Sequence, residues 1–174
     1  MLKKKVFTVG LFLLLLFTLT SCDPGTIHYD YDELVNNVVE ITLIDYDNPD
    51  RIGFESWVPD HSSDIKPFDF DKMTVLKTLP IEDYKQFLNV LTKAEILQEY
   101  YTYDGPNGLC IMLKYENGDF DIINSDINSY VGFIANFSPN GELIHYIGSF
   151  SGYYIYEILV EVFFDTQLPD ELYE

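Results

Sequence analysis

Apolar runs of strand length recur through much of the second half of the chain. Two Asn-Gly pairs, Asn117-Gly118 and Asn140-Gly141, separate some of these runs. Asn-Gly between two strand-like segments is the strongest short-range signal for a β-hairpin. The pattern therefore predicts a four-stranded antiparallel meander, with strands at residues 109–116, 119–124, 130–137 and 142–147.

Strands and helices are both predicted in the first half of the chain. Runs rich in branched and aromatic residues predict strands at residues 38–47, 51–58 and 73–79, with an irregular loop at 59–72. Asp30 is a suitable cap for a short helix at residues 31–37. Apolar residues spaced three and four apart predict two longer helices, at residues 80–93 and 153–164.

These elements predict an α+β fold, in which two main helices pack on one face of an antiparallel sheet. The sheet would join the four-stranded meander of the C-terminal half to the N-terminal strands. We predict a single domain at residues 30–166, followed by a polar tail at residues 167–174.

The first 21 residues have the layout of a secretory signal peptide. Lys3, Lys4 and Lys5 precede an apolar run at residues 6–17. This run is short for a membrane span, which needs about 20 apolar residues. The next residues, Leu19-Thr20-Ser21-Cys22, resemble the lipobox of bacterial lipoproteins. An ordinary signal peptide is the alternative, but its cleavage site prefers an Ala-x-Ala-like sequence.

The resemblance implies that Cys22 is the lipidation site. In lipoproteins the thiol receives a diacylglyceryl group, and a signal peptidase cuts before the cysteine. Lipid would then hold the protein to the extracytoplasmic face of the cell membrane, and residues 22–29 would be the lipidated cysteine and a short tether. The remaining chain resembles, in general layout only, small uncharacterised lipoproteins of low-GC bacteria. That likeness implies no activity.

Acidic residues dominate the charge of the chain, with 29 Asp and Glu against 10 Lys and Arg, for a net charge of −19. Removal of the signal would take away three lysines and no acid, which lowers the net charge to −22. Such a surface argues against nucleic acid as a partner. We expect a basic protein or peptide, or an envelope glycan, besides the membrane lipid at the anchor.

Four Asp-x-Asp pairs are candidates for a cation site: Asp30-x-Asp32, Asp45-x-Asp47, Asp69-x-Asp71 and Asp119-x-Asp121. Residues two apart on a strand point to the same side, so each pair presents two carboxylates together. The turn with Asp45, Asp47 and Asp50 is the first candidate for calcium, but Asp50 stands where a calcium loop needs Gly. We expect these carboxylates to face water, and we predict no cofactor.

No catalytic residue is predicted from the sequence. The three histidines, His28, His61 and His145, are scattered and form no metal-binding motif. The segment Gly148-Ser149-Phe150-Ser151-Gly152 has Phe150 where a nucleophile elbow needs Ser. Cys110 lies in an apolar run and is predicted to pack in the core, because free cysteine often behaves as a small hydrophobic residue.

Clustered tyrosines are the candidate binding residues, since tyrosine offers a large apolar area and a polar tip. These residues are Tyr100, Tyr101, Tyr103, Tyr153 and Tyr154. We therefore expect a non-enzymatic binding or interaction module. A carboxylate-based hydrolase of envelope material and a calcium-binding structural lipoprotein are the alternatives. Two inward carboxylates in a cleft would favour the hydrolase, and a flat face of Tyr and Asp would favour the binding module.

Overall fold

A computed structural model of the chain describes residues 25–46, 67–97, 106, 108–124, 131–151 and 156–165. These residues form one antiparallel sheet of eight strands, in the order β1-β4-β8-β7-β6-β5-β2-β3. The strands are β1 Thr26–Ile27, β2 Val38–Tyr46, β3 Met73–Thr78, β4 Ile96–Leu97, β5 Gly108–Tyr115, β6 Phe120–Asn124, β7 Val131–Phe137 and β8 Leu143–Ser151.

Strands β5 to β8 follow one another in the chain and lie side by side in the sheet. Two turns in this region need a left-handed backbone, which glycine adopts without a steric penalty. Gly118, between β5 and β6, has φ +91°, and Gly141, between β7 and β8, has φ +82°. The two Asn-Gly signals therefore mark hairpin turns that the structure contains.

Helices in the described residues are short. Helix α1, Tyr31–Asn37, begins at Asp30, whose side chain accepts a hydrogen bond of 3.0 Å from the backbone N–H of Glu33. This confirms the predicted helix and its cap. Helix α2 is Tyr84–Leu91. The remaining helical pieces are 3₁₀ turns at Phe70–Lys72 and Ile81–Asp83, a π-helix at Tyr156–Glu161 and the final turn α3 at Val162–Phe164.

The predicted α+β class, with two main helices on one face, is wrong, because the sheet dominates the described structure. The helix predicted at 80–93 yields only the eight residues of α2 after a 3₁₀ turn. Within the helix predicted at 153–164, residues 156–161 are π-helical. Its branched and aromatic residues lose side-chain freedom in an α-helix, which weakens the helical preference suggested by their spacing.

A buried cluster lies on each face of the sheet. The first contains Leu34 of α1 together with Phe87 of α2 and Phe164 of α3. The second contains Phe68 and Phe120, whose ring centroids lie 5.1 Å apart. Alternate residues of a central strand therefore enter different cores, and neither side of such a strand faces water.

The sheet begins inside the segment predicted as a tether. Thr26 pairs with Leu97 and Ile27 pairs with Ile96, which joins β1 to β4 at one edge. This pairing holds the start of the domain beside the first core, where Tyr29 packs. Among the residues that the structure describes, no helix is long and apolar enough to cross a membrane.

Replacing Gly141 by Ala should destabilise the domain more than replacing Gly118. Both substitutions strain a backbone of positive φ. A Cβ at Gly141 would also collide with the carbonyl oxygen of Phe68. The two residues are held together, because the backbone N–H of Phe68 donates a 2.7 Å hydrogen bond to the Gly141 carbonyl. At Gly118 the added carbon would meet only the Pro139 side chain, at 3.2 Å.

We expect Gly141→Ala to lower the free energy of unfolding by about 2 kcal/mol or more, and Gly118→Ala by less. Urea denaturation of the two variants and the parent protein measures the difference. Equal losses at the two positions would contradict the proposed collision with Phe68.

Candidate functional site

The site is centred on Asp121, a carboxylate in the middle of strand β6. Its neighbours Phe120 and Ile122 enter the second core, so Asp121 points to the face that carries the helices. Its side chain is only 2 % exposed. In the sheet register Asp121 lies opposite Asn136 of β7, and Asn136 lies opposite His145 of β8. Three polar side chains therefore form a row across three adjacent strands.

Three donors from separate segments hold the Asp121 carboxylate. The hydroxyl of Tyr29, just before α1, donates to Oδ2 over 2.7 Å. The hydroxyl of Tyr115, at the end of β5, donates to the same oxygen over 2.6 Å. The side-chain amide of Asn136 donates to Oδ1 over 2.6 Å. Because buried carboxylates are stable only when hydrogen-bonded, these contacts allow the group to lie inside the fold.

Burial raises the pKa of the Asp121 carboxyl above its ordinary value. The hydrogen bonds from Tyr115, Tyr29 and Asn136, and then the charge of His145, act in the opposite direction and limit this rise. Burial, followed by the adjacent Asp121 charge, also raises the pKa of Tyr29 and of Tyr115 above the usual value for tyrosine. Both phenols therefore keep their protons and remain donors to the carboxylate.

A cleft of about 670 Å³ lies over this group. One wall is α1 with the residue before it, which contribute Asp30, Glu33, Leu34 and Asn37. The opposite wall is the turn between β5 and β6, which contributes Glu116, Asn117 and Asp119. The floor and the third side are formed by Tyr29, Tyr115, Asp121, Asn136, His145 and Ile147.

The lining of the cleft is strongly acidic. Five of its thirteen residues carry carboxylates, and none of the thirteen is Lys or Arg. Four of the carboxylates lie around the rim, with Asp30, Glu33 and Glu116 exposed and Asp119 partly buried. His145 is the one basic side chain of the lining. A buried carboxylate is usually paired with a basic side chain, and this lining supplies no Lys or Arg to pair with Asp121.

Hydrogen-bond donors of the lining are largely used within the protein. Asn37 donates from its amide to the carbonyl of Glu33 over 2.8 Å, and Asn117 donates to the Asp119 carboxylate over 2.7 Å. Tyr29 and Tyr115 each direct their single O–H at Asp121. The oxygens of these groups keep acceptor lone pairs. With these oxygens and five carboxylates, acceptors outnumber the donors in the lining, a character suited to a ligand rich in N–H donors.

Some residues noted in the sequence reach this cleft and others lie apart from it. Asp119 and Asp121 both line it, as does His145. His28 instead places Nδ1 3.0 Å from the carbonyl oxygen of Ala94. Asp45, the one residue of the Asp45, Asp47 and Asp50 turn within the described residues, is exposed on β2. Cys110 is buried in the second core, as predicted.

Most of the other candidates lie outside the described residues. They are Cys22, Asp47, Asp50, His61, Tyr100, Tyr101, Tyr103, Tyr153 and Tyr154. Within the residues that the structure does describe, no group of three or more His, Cys, Asp or Glu side chains is arranged to hold a metal ion.

The roles of Tyr29, Tyr115 and Asn136 were not predicted from the sequence. Tyr29 falls in the segment predicted as a tether, and Tyr115 and Asn136 lie on predicted strands without an evident partner. The one available signal was the hairpin register: once the turn at Asn117-Gly118 is fixed, Tyr115 and Asp121 fall on the same face of neighbouring strands.

Comparison of the chain with protein-family models, with curated proteins and with solved structures finds no match.

Stability should depend on pH through Asp121. The raised pKa means that the folded protein binds a proton at this carboxyl more readily than the unfolded chain does. The contribution of Asp121 to stability is therefore present below its ordinary pKa, about 4, and is lost as the pH rises through the raised value. Asp121→Asn cannot ionise and lacks this dependence.

We expect the stability of the parent protein minus that of Asp121→Asn to fall as the pH rises from about 4 towards neutrality. Urea denaturation at a series of pH values measures this difference. The carboxylates of Asp30, Glu33, Glu116 and Asp119, and His145, face the same cleft in both proteins, so their effects largely cancel. A difference that is flat, or that grows with pH, would contradict the assignment.

Proposed function

We propose that this protein is a lipid-anchored, extracytoplasmic binding module whose acidic cleft takes a cationic ligand, namely a basic peptide or a basic segment of a protein. The observation that carries the proposal is the lining of the cleft, with five carboxylates and neither Lys nor Arg. Complementary charge steers a ligand to its site and excludes partners of the same sign.

Two layers of the cleft would have different roles. The rim carboxylates Asp30, Glu33 and Glu116 are exposed to solvent, where a single ion pair contributes little affinity. Together they would attract a basic ligand over a distance and make its binding sensitive to salt. Asp121 on the floor is buried, and polar contacts there are stronger because less water competes for them. The floor would therefore contribute most to specificity.

A neutral envelope glycan fits this lining less well. Sugar hydroxyls need both donors and acceptors, while Tyr29 and Tyr115 direct their only hydroxyl protons at Asp121 and Asn136 directs one of its two amide protons there. A basic peptide supplies the donors that the lining lacks. This comparison favours the peptide over the glycan.

A carboxylate-based hydrolase is the second candidate function, and one observation favours it. Burial raises the pKa of Asp121 in a cleft that also holds Asp119, as a pair of glycosidase carboxylates would require. However, three donors point at Asp121, whereas a general acid must direct its own proton at the substrate. If the parent protein hydrolyses cell-wall glycan and Asp121→Asn does not, the hydrolase is the correct function and the binding proposal is wrong.

The membrane anchor is supported by the lipobox-like Leu19-Thr20-Ser21-Cys22 behind a short apolar core. Two acyl chains on one cysteine hold a protein at a bilayer, where a single chain gives only marginal binding. The domain would then lie near the outer face of the membrane, because only a few residues separate Cys22 from β1.

Basic peptides should bind the full-length protein in neutral detergent, and the affinity should fall as salt increases. We expect Glu33→Gln and Glu116→Gln each to weaken binding of a blocked oligolysine peptide up to about fivefold, because each removes one exposed charge from the rim. Glu82→Gln is the matched control, since Glu82 is exposed but does not line the cleft. Fluorescence anisotropy of a labelled peptide gives the affinities. Equal effects at all three positions would show that only net charge matters.

Cys22→Ala should release the protein from the membrane or leave its signal uncut. Cell fractionation followed by mass spectrometry of the N-terminus distinguishes these states. Ser21→Ala, which keeps the cysteine, is the control. Continued membrane retention of Cys22→Ala, with cleavage at the same bond, would contradict lipidation.

A further inference from the structure

The floor of the cleft gathers oxygen acceptors around a single point. The hydroxyl oxygens of Tyr29 and Tyr115 lie 2.7 Å and 2.6 Å from the same atom, Oδ2 of Asp121. The two hydroxyl oxygens therefore cannot be farther from each other than the sum of their distances to Oδ2. Each phenol donates its only proton to Asp121 and keeps lone pairs to accept from a ligand. A small group that donates several hydrogen bonds can bridge both oxygens, because each such bond is about 2.8 Å long.

From this geometry we infer that the cleft recognises a primary ammonium group, the lysine side chain of a peptide, in preference to the guanidinium of arginine. The inference rests on the proposed function and specifies its ligand. An ammonium is a compact charge with three donors, which matches two converging phenol oxygens beside a carboxylate. The buried charge of Asp121 would then have a cation next to it.

Guanidinium does not match the same floor. Its preferred partner is a carboxylate with both oxygens free along one edge, to which it donates two parallel hydrogen bonds. Oδ2 of Asp121 already accepts two hydroxyl protons, and Oδ1 accepts the amide of Asn136. Arginine can therefore pair with the exposed rim, through Glu33 or Glu116, but finds no open carboxylate edge on the floor.

Asn136 and two apolar side chains of the lining support the same ligand. Asn136 directs an N–H at Asp121, so its own oxygen is an atom left to accept from a ligand. A lysine side chain has a long apolar stem, which can pass Leu34 and Ile147 in the lining while its charged end reaches the polar floor.

Calorimetric titration of the full-length protein with four peptides tests the inference. Three peptides are blocked at both ends, share one sequence and differ only in carrying lysine, arginine or trimethyllysine. The fourth has no lysine and a free amino terminus. Trimethyllysine keeps the positive charge but has no N–H to donate, so it separates hydrogen bonding from charge.

We expect the lysine peptide to bind about tenfold more tightly than the arginine and trimethyllysine peptides, the effect of one or two charged hydrogen bonds. Equal binding of these three peptides would overturn the inference and leave the proposed function standing. Absence of binding by all four would overturn both. If the fourth peptide matches the lysine peptide, the ammonium is recognised, and an amino terminus is its source.

Removal of the two phenol oxygens should abolish the preference. In the double variant Tyr29→Phe/Tyr115→Phe we expect the lysine and arginine peptides to bind equally. The single variant Tyr29→Phe keeps Tyr115 as a donor to Asp121, and we expect it to lose only part of the preference for lysine. Tyr46→Phe is the matched control, because Tyr46 lies in the second core and its hydroxyl accepts from the backbone of Asp69. A full preference for lysine in the double variant, shown to be folded by its urea transition, would contradict the role of the phenols.

Discussion

A carboxylate inside a protein must be surrounded by donors, and Asp121 obtains its donors from three separate parts of the chain. Tyr29 comes from the segment before α1, Tyr115 from β5 and Asn136 from β7. The same contacts that make the burial of Asp121 acceptable therefore fix the N-terminal segment against the sheet. Loss of any one donor would leave part of a buried charge without a partner, which is among the more costly defects in a fold.

The residues that build this end of the domain also form its cleft. Asp30 caps α1 and lies in the lining, and Asn117 shapes the hairpin turn next to Asp119. Because these groups satisfy one another internally, the cleft is organised before any ligand arrives. Preorganised acceptors lose little freedom on binding, so more of the interaction energy appears as affinity. The proposed ligand would supply the positive charge that the lining, which has no Lys or Arg, does not.

The turn and cap signals in the sequence identified local structure correctly. The two Asn-Gly pairs mark turns with glycine at positive φ, and Asp30 caps the predicted helix. The fold class could not be obtained in this way. Strands β1 and β4 have two residues each, too few to show any periodicity, and they exist because β1 pairs with β4 and β4 pairs with β8. In the segment 153–164, the helical spacing of apolar residues predicted an α-helix, although residues 156–161 are π-helical.

The candidate site was visible only in part. Asp119-x-Asp121 was noted, but its carboxylates were expected to face water, as on a sheet with one solvated side. This sheet has a core on each face, so alternation along β6 sends Phe120 and Asp121 into opposite interiors. Tyr29 and Asp121 are 92 positions apart in the sequence, yet their side chains are hydrogen-bonded. This contact depends on the pairing of β1 and not on any local pattern.

The most direct test of a cationic ligand site over Asp121 is an NMR titration of the isotopically labelled full-length protein, in neutral detergent, with a blocked lysine peptide. Saturable shifts centred on the side-chain amide of Asn136 and the backbone amides of Tyr115 and Asp121 are the result that this account predicts. Saturable shifts confined to another surface, or no shifts at peptide concentrations well above those of the protein, would contradict it.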